Sequence, residues 1–520
     1  MDTKALRQKI LDLAIRGKLV PQDPNDEPAG VLLESIREQK QQMLKEGKLK
    51  KKDIKNDTII FKGEDNLHYE KFQDGTVKCI EDEIPFEVPE GWCWARVRDI
   101  AMVKGGKRLP KGASFSEEIT THAYIRVTDM KNHSVNISNL RYISDEIFSA
   151  IKNYTIAKDD LYVTIAGTIG VVGEIPDKLD GMNLTENAVK ITNIAINKSF
   201  LCIILQTDFV QQQFQDKTHQ VAMPKLALER ILSTLIPICP YVQQLQIVDR
   251  FQICDNFLST IDTEKEELQK IVSLSKYKIL DLAIRGKLVP QDPNDEPASV
   301  ILESIRIEKE ELIKQGKIKR DKKKSVIFKG DDNSYYEKIG NKVNCIDEEI
   351  PFELPEGWAF IRLKIAWELI SGRDLSPSEY NDKNDGIPYI TGASNFRNGH
   401  ISLVRWTTVP QVITRRGDLL LTCKGTIGEI AHNNFGEAHI ARQIMAIRNI
   451  YSLNVDFLAL CIEYSMTKIK QAAKGLIPGI SREDILNLVI PIPPIKEQEN
   501  ICNKLKVTFS AIEHIEKSLN

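Results

Sequence analysis

The side chains best suited to chemistry in this 520-residue chain are polar and cationic rather than catalytic. Lys104, Lys107, Arg108 and Lys111 cluster in one Gly-containing stretch, and Tyr124, Arg126 and Thr128 follow on an expected strand. Farther on, Arg373 follows a glycine, and Tyr389, Thr391, Ser394, Asn395 and Arg397 form a polar, aromatic run. Lys424 and Thr426 lie at a GTIG sequence whose earlier copy holds Thr168, and Arg442 and Gln443 come after it. Arg, Lys, Asn and Gln carry donor and acceptor pairs that suit base edges, whereas Ser, Thr and backbone amides suit phosphates. Ordinary exposed surfaces carry the same residue types, so each is a candidate DNA contact and no more. Charge does not decide the matter: the net value is zero over 86–240, +1 over 352–495 and −2 for the whole chain.

Catalytic patterns are missing. There is no G-x-x-x-x-G-K-[ST] phosphate loop, no G-x-S-x-G, no H-E-x-x-H and no Asn-Pro-Pro-aromatic sequence of the kind adenine methyltransferases use. The histidines are dispersed; His432 and His439 are close, but no third ligand stands near them, so no metal site is expected. Nine cysteines without a single CxxC read as small buried apolar groups in a reducing compartment. A composition of 42% hydrophobic and 28% charged residues excludes a wholly disordered chain. Apolar stretches such as Phe200–Leu205 fall far short of the roughly 18 residues a membrane span needs. MDTKALRQKI has no apolar signal region, so the cytoplasm is the expected location.

What must position the polar residues is an internal repeat. ILDLAIRGKLVPQDPNDEPA occurs letter for letter at 10–29 and 279–298. The match drifts through IFKGEDN and IFKGDDN (60–66, 327–333) and ends at IPFEVPEGW and IPFELPEGW (84–92, 350–358). Beyond the tryptophan only islands survive: DLYVTIAGTIG against DLLLTCKGTIG, and ILSTLIPICP against ILNLVIPIPP. Near-identical parts suit a shared structural job or partner, and divergent parts suit two different ligands.

Apolar residues in 4-3 spacing after Pro240 (Ile247, Phe251, Cys254, Leu258, Ile261, Leu268, Val272, Ile279, Leu282) predict one long helix over 242–286. Ile501, Leu505, Ile512, Ile515 and Leu519 continue the same seam after Pro494, and Leu6, Ile10 and Leu13 take its other half. The two terminal helices are therefore expected to stack end to end, antiparallel to the central one, in a pseudo-twofold arrangement. Pro28 and Pro297 are expected in the first turn of helices over 29–46 and 298–315, followed by basic runs over 48–55 and 317–324. These runs are either solvated loops or sequence-independent phosphate contacts. The divergent segments mix short apolar runs with a few helical stretches and predict α+β domains rich in short strands. Both GTIG sequences predict a tight glycine turn between strands.

Taken together, the duplicated ILDLAIRGKLVPQDPNDEPA segment, the PEGW lead-in to each divergent segment, the GDLLLTCKGTIG strand-turn and the IPIPPIKEQ exit resemble the specificity subunits of type I restriction–modification systems. The resemblance spans essentially the whole chain. It implies an α+β fold with two mixed α/β target-recognition domains separated by long antiparallel coiled-coil helices. The implied regions are an N-terminal helical region (1–56), recognition domains at 57–240 and 324–495, a central coiled-coil spacer and helix (241–323), and a C-terminal helix (496–520). It further implies double-stranded DNA with a bipartite target, two methyltransferase subunits and restriction/translocase subunits as partners. No cofactor is expected on this chain; S-adenosylmethionine, ATP and magnesium are expected on the partners. The first copy departs from the pattern, exiting as IPICPYVQQLQ without Pro-Pro or Glu-Gln, which puts the local geometry there in question. A coiled-coil scaffold that reads no DNA remains the alternative on the residues alone.

Overall fold

The computed structural model describes residues 2–215, 226–316, 325–397, 400–451, 453–472 and 479–519. The basic run expected over 317–324 lies outside the described residues. The chain forms two compact units, Met1–Lys265 and Glu266–Asn520, and each repeats one plan.

In the first unit, Asp2 caps the helix Thr3–Ile15 by accepting from the Ala5 amide. The helix stops at Gly17 (φ +64°), where a Cβ would sit 2.4 Å from Pro89 of the PEGW lead-in. Gly286 (φ +66°) ends the corresponding helix of the second unit, with Pro355 at 2.5 Å. Only glycine meets both demands, the left-handed backbone and the close approach. The helices Ala29–Lys45 and Ala298–Lys314 follow. Pro28 and Pro297 are their N-caps rather than first-turn residues, because the amides of Ala29 and Ala298 bond the carbonyls of Gly91 and Gly357, both at 2.8 Å. That bond ties each helix start to its PEGW turn.

Each unit then builds a small antiparallel sheet (strands Ile59–Lys62, His68–Lys71, Val77–Cys79; Ser325–Lys329, Tyr335–Ile339, Lys342–Cys345). Cys79 and Cys345 are exposed on its last strand, contrary to the expectation for cysteines; that strand is solvent-facing throughout. Lead-in and exit zip together, Cys93–Arg96 with Leu235–Ile238 and Ala359–Arg362 with Val489–Ile492. The two exits share their geometry despite the sequence difference. The Gln244 amide side chain donates to the Cys239 carbonyl at 2.9 Å, and Gln498 donates to Pro493 at 2.8 Å. The Trp92 indole donates to Gln243 at 2.9 Å, and the Trp358 indole to Glu497 at 2.9 Å. An amide oxygen and a carboxylate oxygen are interchangeable as acceptors here.

The long helix runs Tyr241–Ile284, roughly 66 Å at 1.5 Å per residue, and the unit boundary falls within it. In the first unit, Arg7 reaches Asp255 and Thr3 reaches Asp262, both at 2.6 Å, so the N-terminal helix runs antiparallel to it. In the second, Lys276 pairs with Glu516 of the helix Ile495–Leu519 at 2.7 Å, and Ile501 and Leu505 are buried. The expected seam is buried at Ile247, Phe251, Leu258 and Val272 but not at Leu268, which is 44% exposed. Farther along, Leu280, Ala283 and Ile284 take over the buried face. A 3.6-residue helix drifts off a strict 3.5-residue seam unless it supercoils.

The divergent segments hold two four-stranded sheets each, with the same strand order. Strands Val172–Glu174, Leu161–Thr164, Ala188–Thr192 and Met102–Gly105 match Ile430–His432, Leu419–Thr422, Ile444–Asn449 and Trp367–Ser371. Strands Thr155–Ile156, Met182–Leu184, His122–Ile125 and Arg141–Ile143 match Ile413–Thr414, Ala438–Ile440, Ile387–Ile390 and Trp406–Thr407. No helix among the described residues is long and apolar enough to cross a membrane.

Candidate functional site

Several strand ends of the two sheets converge in each unit, and a lattice of backbone hydrogen bonds fixes where they meet. In the first unit Gly106 donates to Ala188, Lys107 to Leu184, Thr185 to Ile125 and Ile165 to Asn187. In the second, Gly372 donates to Ile444, Arg373 to Ile440, Ala441 to Ile390 and Cys423 to Gln443. The lattice makes Lys107 equivalent to Arg373, Glu186 to Arg442 and Asn187 to Gln443. Glycine is required at its centre: a Cβ on Gly106 would lie 2.0 Å from the Thr185 carbonyl oxygen, and one on Gly372 would lie 2.1 Å from that of Ala441.

The GTIG turns sit on the same edge. Gly167 and Gly170, like Gly425 and Gly428, have positive φ, and Gly170 and Gly428 donate back to Thr164 and Thr422. Thr168, Lys424 and Thr426 are held out to solvent by these turns.

The lattice therefore gathers Lys107, Arg108 and Thr168 at one tip, and Arg373, Thr391, Lys424, Thr426, Arg442 and Gln443 at the other. Lys104, on the adjoining strand, and Lys111 and Thr128 are exposed near the first tip's strand ends. Ser394 and Arg397 are exposed on the turn and hairpin after Thr391. Arg373, Arg397, Lys424, Lys104 and Lys111 make no side-chain hydrogen bond or ion pair with the described residues; the Lys107 ammonium stands 5.5 Å from the Tyr154 ring centre.

Other candidates turn out to build the tip. Tyr124 and Tyr389 are 3% and 4% exposed. The Tyr124 hydroxyl donates to the Lys107 carbonyl at 2.8 Å, and burial pushes its pKa up to about 12. Tyr389 packs against Tyr380 and His439. Asn395 is 1% exposed; its carbonyl oxygen accepts from the Thr391 amide and hydroxyl, both at 3.0 Å, and its amide donates to Ser402. Arg126 is clamped on Asp129 through two donors, at 3.0 and 2.6 Å. Tyr124, Tyr389 and Asn395 have little or no polar surface left for a ligand, whereas the Arg126 side chain stays 28% exposed. His439 is also structural. It accepts from the Val412 amide at one ring nitrogen and meets the Arg373 carbonyl at the other, 2.8 Å away. That pattern assigns the neutral tautomer with a proton on Nε2, and burial lowers its pKa. Among the described residues no group of His, Cys, Asp or Glu is arranged to hold a metal.

The structure adds residues that the sequence reading passed over. Lys131 is exposed on the hairpin Met130–Lys131/Ser134–Val135, the counterpart of Phe396–Arg397/His400–Ile401, and so matches Arg397. Glu186 and Asp374 are the acids that meet the candidate arginines: Arg108 Nε lies 2.6 Å from Glu186, and Arg442 Nε lies 2.6 Å from Asp374. Burial pushes the Glu186 carboxyl up, but its bonds to Arg108 and Thr185 hold it below the usual carboxylate range. The repeat itself was the available signal for Lys131, and a one-residue insertion before Asn395 hid it.

Comparison with known proteins agrees with this two-copy arrangement. The type I restriction modification DNA specificity domain matches residues 89–271 and 355–520. The chain is similar to the Type I restriction enzyme EcoAI specificity subunit of Escherichia coli, 26% identical over 97% of this chain and 90% of that one. The EcoEI specificity subunit of Escherichia coli is 24% identical over 99% and 90%. A putative MjaX specificity subunit of Methanocaldococcus jannaschii is 22% identical over 82% and 89%. In fold, the chain matches one from a structure of type I R-M complex assembly and conformational transition, with a TM-score of 0.55 and 17% identity over 84% of this chain and 94% of that one. The chain thus belongs to the type I restriction–modification DNA specificity family, and its work is DNA target recognition.

Proposed function

We propose that each unit reads one half of a bipartite double-stranded DNA target through the strand-end tip described above. One observation carries this reading: a single backbone lattice, present twice, displays different side chains at equivalent places. Lys107 stands where Arg373 does, Arg126 where Thr391 does, and Ala166 where Lys424 does. A common frame with unlike polar faces suits two unlike half-sites. The repeated segments that lead into each tip domain, by contrast, are nearly identical. The repeated segments offer two like surfaces for two copies of one methyltransferase subunit, and the long helix sets the spacing between half-sites. Restriction/translocase subunits join that complex. The chain itself contributes targeting and no catalytic group; S-adenosylmethionine, ATP and magnesium belong to its partners, and the assembly works in the cytoplasm.

The test is a map of modified bases in DNA from cells carrying this chain with its cognate methyltransferase, compared with cells lacking it. A split motif with methyladenine in each half supports the reading. No new motif, with the methyltransferase expressed and bound, overturns it in favour of a scaffold. Salt-dependent binding of the complex to duplex DNA separates the same two readings.

A further inference from the structure

Each tip carries one arginine braced by an acid, and the two braces are crossed. Arg108 follows the strand Met102–Gly105 and is braced by Glu186, just before the strand Ala188–Thr192. Asp374 follows the equivalent strand Trp367–Ser371 and braces Arg442, just before Ile444–Asn449. The lattice makes the position of Arg442 that of Glu186, so the cation and the anion have exchanged places between units.

Three features point to a shared task. Both arginines are the exposed member of the pair, 78% for the Arg108 side chain against 24% for Glu186, and 67% for Arg442 against 44% for Asp374. Both meet their acid most closely through Nε, as a hydrogen bond in Arg108 and an ion pair in Arg442, and neither Nη group of either arginine makes a hydrogen bond to a described residue. Both acids are themselves anchored: Glu186 accepts from the Thr185 hydroxyl at 3.1 Å, and Asp374 accepts from the Arg442 amide at 3.0 Å. A solvent-exposed ion pair adds little to stability, so fold stability does not explain its presence in both units. A braced guanidinium with a free fork is a preorganised pair of donors, and the base that accepts two parallel donors in the major groove is guanine, through O6 and N7.

Resting on the DNA-reading function above, we propose that Arg108 and Arg442 each select a guanine in their own half-site, with Glu186 and Asp374 as positioning residues. Because the brace is crossed, the two guanines occupy different places relative to the shared frame.

The experiment uses the chain with its methyltransferase and the modified-base map of the host genome, for the native chain, Arg442→Lys, Arg442→Gln and Asp374→Asn. Lysine keeps the charge and loses the fork. The expected result is a guanine in the native second half-site whose requirement relaxes in Arg442→Lys and Arg442→Gln, and more weakly in Asp374→Asn. The first half-site stays unchanged. On duplexes carrying each of the four base pairs at that place, discrimination drops by roughly 5- to 140-fold. A native motif with either variant leaving the second half unchanged overturns the proposal. So does a uniform loss over all sequences in Arg442→Gln that Arg442→Lys restores, which is the signature of a phosphate contact. A native chain that yields no bipartite motif overturns the DNA-reading function instead, and this proposal with it. Arg108→Lys and Glu186→Gln repeat the test on the first half.

Discussion

Arg362 is a buried cross-link of the second unit, and its removal has a calculable outcome. Its side chain and that of Glu337 are each 6% exposed. Nη2 meets Glu337 at 2.7 Å, Nη1 meets Glu349 at 2.6 Å, and Nη1 also donates to the Asn487 carbonyl at 2.8 Å. One guanidinium thus joins the small sheet, the lead-in strand and the segment before the exit strand. In Arg362→Met, Glu337 stays buried with no cation. Losing one partner of a buried pair costs about 3–5 kcal/mol, a large fraction of a domain's total of about 5–15 kcal/mol. Hydrogen exchange of the amides in Val489–Ile492 should then accelerate by roughly 140- to 4,000-fold. Leu235–Ile238 in the first unit, braced by the equivalent Arg96–Glu70 pair, serves as the internal control. Arg362→Met/Glu337→Met should recover most of the loss, since an apolar pair needs no charge compensation.

The pH dependence follows with its sign. Burial raises the Glu337 carboxyl, but Arg362 and Ser325 outweigh it and hold it low. Its contribution is present above the unfolded value of about 4.3 and is lost as pH falls through the lower folded value. Without Arg362, burial is opposed only by the Ser325 bond and the Lys364 charge, the folded value rises, and stability is lost as pH climbs. The gap between native and variant is therefore widest near neutrality and closes toward acid. A single-variant effect below about tenfold in exchange, or a double variant worse than the single one, refutes the reasoning.

Other outcomes are equally specific. Gly106→Ala should weaken the first tip by about 1–3 kcal/mol, because a methyl group meets an immobile carbonyl, and methylation should fail at the first half-site before the second, read from the modified-base map. Lys424→Ala and Arg397→Ala should weaken binding mainly at the second half-site; where the contact is to phosphate, the slope of log K against log salt falls by about 0.9 per residue, and unchanged methylation kinetics on specific DNA would reject both. Glu497→Gln, which copies Gln243 of the first unit, should match the native chain at acid pH and exceed it as pH rises. Burial holds the Glu497 carboxyl above its usual range against the opposing Trp358 bond, so its stabilising contribution is present at low pH and lost upward; urea unfolding at pH 4 and pH 8 checks this.

What the sequence determined by itself was everything carried by local or self-similar pattern. The repeat, the long helix after Pro240, the helices after Pro28 and Pro297, and the GTIG turns each depend on spacings of a few residues, where helix period, glycine backbone freedom and capping operate. Exposed candidates such as Lys424, Arg373 and Arg397 were legible because long cations on strand ends and turns stay hydrated. Only the tertiary structure decided which of the others could face a ligand. Tyr124, Tyr389 and Asn395 lie in the same polar runs, yet sheet packing turns them inward, and strand alternation alone does not say which face is covered. The acids that brace the arginines are 78 residues from Arg108 and 68 from Arg442 along the chain, a separation across which sequence pattern carries no signal and only strand pairing supplies contact.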